Sequence, residues 1–463
     1  MTIDEILKGN LTADEKIAAL SEKTVNVPQW GGDNGIESEY NAMLHPVMNK
    51  SKYRDIVTDG SFKEVTRISL PFQELAAQRM TELVTGIPVK RVYKPANDRQ
   101  KDVAAFIESV YDRCRIDSVN VDRFKRLFAG CEIMTLWYAV DKPNTLYNGV
   151  RSAIKLRCRT FSPMLGDRLY PLFDEYGDMT AMSISYRRKV ANKTVKYFDC
   201  YTDSRHIKWS DESGGMMEIE NERITLGKIP AIYACREKPI WKDTSNMVYE
   251  MEWALSRNGN YLRENSKPLF AVFADEQISY GDEKDVDKEF KGVLQYPKGS
   301  TAGYITWSQS VDCLKYHLSE LRNLYFTSLQ LPDWSYEKMS QTAMSGESRK
   351  QLFIDAQLKV KDEKGALIEF LDRETNIIKA FANVILGDSY AADIEALPVE
   401  QVITPFSITD EKDDIVNLMT ANGNKPLMSQ RESIERYGKS DDVDKTLEEI
   451  RQEGTVDAFN LAE

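Results

Sequence analysis

Apolar residues recur at three-to-five spacing from residue 67 onward, at Leu70, Leu75, Ala76, Met80, Leu83 and Val84. That period predicts an amphipathic helix, ended by Gly86-Ile87-Pro88 and followed by an extended run over 89–93. Two more helices are expected at 102–114 and 119–129. The pattern then turns β-rich. Residues 133–140, 151–159, 179–189, 194–201 and 218–225 are short strand candidates separated by turn residues. Asp174-Glu175-Tyr176-Gly177-Asp178 is a hairpin turn between two strands.

Helical spacing returns over 243–265, with Met247, Met251, Ala254, Leu255 and Leu262 as the stripe. Asp243-Thr244-Ser245 caps this helix and Lys267-Pro268 ends it. Short extended runs follow at 269–274, 293–296 and 304–307, around a solvated charge run at 281–289. A second helix covers 310–331, with Leu314, Leu318, Leu321, Leu324, Tyr325 and Leu329 apolar. Pro332 stops it. Ser345-Gly346-Glu347 then opens a much longer helix that reaches residue 386 without a proline. At ~1.5 Å per residue it would be ~60 Å long. Few globular domains need such an element, whereas a subunit spanning a particle wall does.

Residues 401–407 read as a strand and 410–420 as a helix. Ser429, with Glu432 three residues on, caps another. The first 60 residues read as peripheral. Thr12 caps a helix start that has Asp14 and Glu15 in its first turn, and the glycines from Gly31 to Gly35 form a break.

A chain of 463 residues is too long for one core, so two to four domains are expected. The net charge of −12 argues against a tight grip on DNA, which calls for a basic face. No apolar run reaches membrane-span length, and Asp4 and Glu5 stand where a signal peptide is basic. Synthesis in the cytosol is the expectation. Cys114, Cys131, Cys158, Cys200, Cys235 and Cys313 are widely spaced and read as reduced, buried thiols. His45, His206 and His317 are equally scattered and suggest neither a metal site nor a catalytic triad. Gly227-Lys228 lacks the upstream glycine and the following hydroxyl of a phosphate loop. A calcium loop from Asp285 fails because Phe290 stands where glycine is needed.

Several segments together resemble the portal, or head-to-tail connector, proteins of tailed bacteriophages of the siphophage type. The residues are Pro332, Asp333, Ser335, Glu337 and Met339, then Ser345-Gly346. Glu347, Ser348 and Arg349 stand where that family has small apolar residues. The opening helix ends in the family's Gly-x-Pro turn, with Leu70-Pro71-Phe72 at positions that are often polar. The run Ser162-Pro163 to Tyr170-Pro171-Leu172-Phe173-Asp174 is similar to the family's wing sheet. Leu226-Gly227-Lys228-Ile229-Pro230 matches the strand that closes it. The resemblance covers about residues 67–452, by element order more than by identity.

It implies an α+β, portal-like subunit with a mixed helix/sheet wing, a helical stem, a small α/β clip, a long spine helix and a helical C-terminal crown. The expected boundaries are 1–242 for the N-terminal arm and wing, 243–266 and 309–331 for the stem helices, and 267–308 for the clip. The tunnel loop takes 332–346, the spine and wing return 347–409, and the crown 410–463. Function would be structural, without catalytic residues, cofactor or metal. The implied assembly is a homo-dodecamer at one capsid vertex of the virion, built in the host cytoplasm. Double-stranded DNA would pass through it during packaging and ejection, touched weakly and without sequence preference. The implied partners are the terminase large subunit, a head-completion adaptor, and the major capsid and scaffolding proteins, with no membrane.

Candidate site residues follow. Trp334 and Tyr336 could face DNA in the channel or pack between neighbouring loops. Lys338, Arg349 and Lys350 could meet phosphates or stay solvated. Tyr280, Tyr296, Tyr304 and Trp307 are candidate anchors for a partner at the clip. Met247, Met251, Leu318 and Leu321 are candidates for the oligomer interface. The alternatives are another virion protein, such as a capsid or tail-adaptor subunit, and a metal-dependent DNA-processing enzyme.

Overall fold

The computed structural model describes residues 3–32, 35–58, 61–190, 192–264, 269–273, 301–305, 311–331, 333, 353–406, 420, 429–437 and 443–460. The chain divides into two compact units, one formed by residues 1–333 and 355–406, the other by 334–354 and 407–463. The fold is mixed α+β.

The first unit opens with helices α1 (Ile3–Lys8) and α2 (Ala13–Leu20). The Thr12 hydroxyl caps α2, and Glu15 reaches back to the Thr12 amide at 2.8 Å. A one-turn helix α3 (Glu37–Tyr40) and a two-strand ribbon, β1 (Ile56–Thr58) and β2 (Ser61–Lys63), follow. Helix α4 (Phe72–Thr85) starts five residues later than the periodicity predicts. Residues 66–70 instead hold an extended strap, because their amides bond to another helix (below). Strand β3 (Lys90–Tyr93) leads to helices α5 (Asp98–Cys114) and α6 (Ile116–Gly130).

Strands β4 (Glu132–Tyr147) and β5 (Val150–Phe161) form a long hairpin. β4 runs seven residues past its predicted end. Pro143 does not stop it because the register shifts between Asp141 and Thr145, and a bulge is where a sheet tolerates proline. Strands β6 (Arg168–Phe173), β7 (Met179–Val190), β8 (Lys193–Tyr201), β9 (Arg205–Ser210) and β10 (Met217–Arg223) form an antiparallel meander. β9 is too short and charged to read as a strand in sequence, although Ile207 and Trp209 alternate inward. Strand β11 (Ala231–Cys235) adds to β4 on the side opposite β5.

The meander is covered on both faces. Met182 and Ile184 of β7 pack with Met134, Leu136 and Phe161 of the hairpin and Tyr233 of β11. Ala181, Phe198, Ile207 and Trp209 pack under Ile6, Ile17 and Leu20. Residues 181–186 of β7 are all buried, Ser183 and Ser185 together with the apolar residues beside them, as a strand covered on both faces requires. The N-terminal segment is therefore a cover of this sheet, not a periphery.

Helix α7 (Ser245–Glu264) follows a short turn at Lys242–Thr244. Strands β12 (Leu269–Phe273) and β13 (Thr301–Ile305) pair antiparallel and lead to helix α8 (Val311–Leu329). Helix α9 (Ile354–Leu386) is 33 residues long, about 50 Å at ~1.5 Å per residue. It is not continuous from residue 347 as predicted: Phe353 lies in a turn, and Asp355 in the first helical turn suits the positive end of the helix dipole. A short helix α10 (Ala391–Ala396) and strand β14 (Val399–Val402), which pairs with β3, complete this unit.

In the second unit the described elements are helices α11 (Gln430–Tyr437) and α12 (Val443–Asn460). The Glu432 amide donates to the Ser429 hydroxyl at 3.2 Å, the cap the sequence predicts.

Candidate functional site

Helices α7 and α8 lie side by side, joined at one end by the β12–β13 ladder. Their apolar cover is graded. Near the start of α7, Val248 and Met251 are fully buried and Met247 half-buried. Leu255 is half-buried, and Leu262 near the helix end is 56% exposed. α8 mirrors this. Tyr325, Phe326 and Leu329 are buried, and the Tyr325 hydroxyl donates to the Phe72 carbonyl at 2.6 Å. Leu321 and Leu318, one and two turns earlier, are only half-buried, and Tyr316 is 69% exposed. The four interface candidates thus share one helical pair, with Met251 the one fully covered within the chain.

The buried face of α7 holds a feature the apolar pattern does not announce. Glu252, Ser256 and Asn260 stand at i, i+4 and i+8, so they line up on one side of the helix. The Leu70 amide donates to Glu252 Oε1 at 2.6 Å and the Ile68 amide to Ser256 Oγ at 2.9 Å. The Thr66 amide donates to Asn260 Oδ1. Four helical residues rise ~6 Å and two extended residues ~6.6 Å, so the two repeats stay in step. Three helical side chains thereby do for the strap what a neighbouring strand does in a sheet. Gly259 permits the close approach, since a Cβ there would lie 2.8 Å from Thr66 Cγ2.

His45 closes the upper end of this ladder. Its Nε2 donates to the Glu39 carbonyl at 2.8 Å, and its Nδ1 meets Glu252 Oε1 at 2.6 Å, with both side chains fully buried. Tyr249 packs edge-on against the imidazole.

A second buried polar cluster anchors α9. Glu374 takes a bidentate ion pair from Arg123 of α6 and a hydrogen bond from Trp137 Nε1 at 2.9 Å. Phe370 covers the guanidinium, 4.8 Å from its centroid. One residue on, the Thr375 hydroxyl is bonded to the Tyr111 hydroxyl at 2.8 Å and accepts from Gln401 Nε2 at 2.9 Å. Nearer the start of α9, Arg236 pairs with Glu363, and burial pushes the Lys359 ammonium down from its ordinary value. The long helix is therefore held to α5, α6 and the hairpin by side chains remote in sequence.

A cleft of about 1410 Å³ lies between α1, the edge of the meander and α9. Arg205, Arg223, Lys228 and Arg373 line it together with Asp4, Asp178 and Asp203. Among the described residues no three His, Cys, Asp or Glu side chains gather as metal ligands would. Among them, too, no helix is long and apolar enough to cross a membrane.

Of the other sequence candidates, Trp334, Tyr336, Lys338, Arg349 and Lys350 lie outside the described residues, as do Tyr280, Tyr296 and Trp307. So do the strand expected at 293–296, the charge run at 281–289 and all of the 410–420 helix but its last residue. The backbone of Tyr304 belongs to β13. Glu252, Ser256, Asn260, Arg123 and Glu374 were not predicted. Their only sequence signal is a polar residue on the apolar side of a helical stripe.

A family model described as "Phage portal protein, SPP1 Gp6-like" matches residues 34–457. No curated protein matches the sequence. Among solved structures, a chain in the virion of a native gene transfer agent particle is similar at 10% identity and a TM-score of 0.38, covering 90% of this chain and 96% of that one. A chain in the neck of the native particle, computed with C12 symmetry, is similar at 11% identity and a TM-score of 0.37 over the same shares. One in the neck of the empty particle, computed with C6 symmetry, has 10% identity and a TM-score of 0.37, covering 78% of this chain and 88% of that one.

Proposed function

The chain belongs to the SPP1 Gp6-like phage portal family, and from that premise we propose that its copies form a ring at one capsid vertex and conduct double-stranded DNA. The observation that carries the reading is the match over residues 34–457, nearly the whole chain. In this reading the protein is a structural component of the virion, without bond chemistry of its own. The ring is a dodecamer. DNA enters under the force of a separate terminase and leaves through the same channel at infection. The major capsid and scaffolding proteins surround the ring.

Residues 1–242 are the arm and wing, and α7 and α8 are the stem. Residues 267–308, which include the β12–β13 ladder, are the clip, where Tyr280, Tyr296, Tyr304 and Trp307 receive the terminase or the adaptor. Residues 332–346 line the channel, α9 is the spine, and 410–463 form the crown. Lys338, Arg349 and Lys350 brush passing phosphates without reading bases. The graded cover of α7 and α8 supports this division. Half-buried Leu318 and Leu321 and exposed Tyr316 and Leu262 leave apolar surface that a second copy can cover, as in obligate interfaces.

Electron microscopy of the purified full chain tests the reading. Rings with a central hole wide enough for a duplex are expected. A homogeneous monomer, or closed particles without a hole, at concentrations where related rings persist would overturn it.

A further inference from the structure

We propose that the outer edge of β10, with the cleft at its end, receives an extended segment of a partner protein, acidic at every second residue, as a sixth strand of the meander. β10 is the last strand of that sheet, and among the described residues only β9 pairs with it. At ~3.3 Å per residue its seven residues offer an edge about 23 Å long. An open edge is a template for another strand. Met217 and Ile219 are 57% and 49% exposed on β10, apolar surface that an added strand can cover.

The two faces of β10 differ in charge. On one, Glu220 stands opposite Lys208 and accepts from its ammonium at 3.0 Å, and Glu222 stands opposite His206. On the other, Arg223 stands opposite Arg205, two residues from Ile207, which packs with the helices that cover the meander. Like charges directly opposite each other destabilise an antiparallel pair. Among the described residues neither arginine has a carboxylate at ion-pair distance, although Asp4, Asp178 and Asp203 line the same cleft. Lys228 and Arg373 stand in that cleft too, and only Arg373 has an ion pair, with Glu369. What this face lacks is an anion from outside the chain.

The size of the cleft, about 1410 Å³, exceeds the ~300–1,000 Å³ of small-molecule sites and suits a length of chain. A strand laid beside β10 has the same alternation as β10 itself. Its residues on the Arg223 face meet the arginine pair and call for carboxylates. Those on the Glu220 and Glu222 face call for cations. Main-chain hydrogen bonds to the open edge hold such a segment, and the alternating charges select it. This chain's own edge strands do not fit. β6 carries one charge and a proline, and β5 carries Arg151, Lys155, Arg157 and Arg159 without an acid. The occupant is therefore a different protein. The inference rests on this edge and its charges and stands whether or not the copies form a ring.

The test adds the purified full chain to fluorescein-labelled twelve-residue peptides and reads anisotropy. One peptide alternates Asp and Lys, and a second has the same composition as Asp-Asp-Lys-Lys repeats. Extended, the first carries all its acids on one face, and the second does not. The alternating peptide should bind at least about tenfold more tightly. Methylating the backbone nitrogens of its Asp residues alone, or of its Lys residues alone, should abolish binding in one case and spare it in the other, because alternate amides of a strand point the same way. Arg223→Glu should weaken binding about tenfold, and Arg223→Lys should keep most of it. The peptide comparisons need no variant to fold. Equal affinity for the two peptides, equal loss from both methylations, or no binding of either would overturn the proposal. So would displacement of the peptide by duplex DNA, which would give the arginines to phosphates instead.

Discussion

Arg123 and Glu374 stand 251 residues apart in sequence and form a bidentate ion pair, at 2.6 and 2.7 Å, with both side chains fully buried. Such a pair contributes little beyond a good apolar replacement, but removing one partner strands a charge. Glu374→Ala should therefore cost about 3–5 kcal/mol. The double replacement Arg123→Met with Glu374→Leu should recover part of that loss, because Trp137 Nε1 still loses its acceptor. Urea midpoints at unchanged slope are the measurement. A single variant within about 1 kcal/mol of wild type would show that water or relaxation satisfies Arg123.

The ladder on α7 predicts a local effect. Ser256→Ala leaves the Ile68 amide without its acceptor, at a cost of about 1–3 kcal/mol. Hydrogen exchange at Ile68 should quicken by at least tenfold, while amides in the centre of α9 keep their protection. Equal acceleration everywhere would mean that the strap opens only with the whole unit.

The half-buried positions on α8 predict an assembly defect. Leu318→Asp with Leu321→Asp should leave the far-ultraviolet circular dichroism unchanged and lower the sedimentation coefficient from ring to smaller species. A double variant that still sediments as the full ring would remove these residues from the interface.

Burial raises the Asp199 carboxyl from 3.8 to about 6, against the hydrogen bond from the Tyr186 hydroxyl at 3.0 Å. Lys208, Glu220 and Arg188 also act on it, and His206 lies 4.0 Å away with its own value pushed down by burial. The folded state thus holds this proton more tightly than the unfolded chain. Its contribution is fully present below pH 3.8 and is lost as pH rises through about 6. Asp199→Asn should gain on wild type between pH 4 and pH 8, by up to about 3 kcal/mol. A stability difference that does not change with pH would contradict the raised value.

The channel assignment predicts a packaging defect. Lys338→Glu adds repulsion to every copy in a ring, while the ring itself should persist. Packaged genome length in mutant particles should fall. Full-length genomes at wild-type yield would place Lys338 away from the DNA.

Much of the fold was legible in the chain itself. Local rules sufficed for the caps at Thr12 and Ser429, the Asp174–Asp178 turn, the helix ends at Gly86 and Cys114, and most strands of the meander. Each depends on neighbours within a few residues. The misses have one cause. Residues 67–70 have helical spacing, yet their amides are taken by α7, nearly 190 residues away. Pro143 should end a strand, yet a bulge absorbs it. β9 is too polar to read alone and is held by β8 and β10.

Sequence by itself determined the class and order of elements, the apolar stripes of α7 and α8, and the resemblance from which the family follows. Only the tertiary structure brought Glu374 to Arg123 and the amides of 66–70 to α7. Helical and strand periods are set by local backbone geometry, which a string of residues records. Partners across hundreds of residues are chosen by which polar groups remain unsatisfied once apolar faces are buried, and that depends on the whole packed chain.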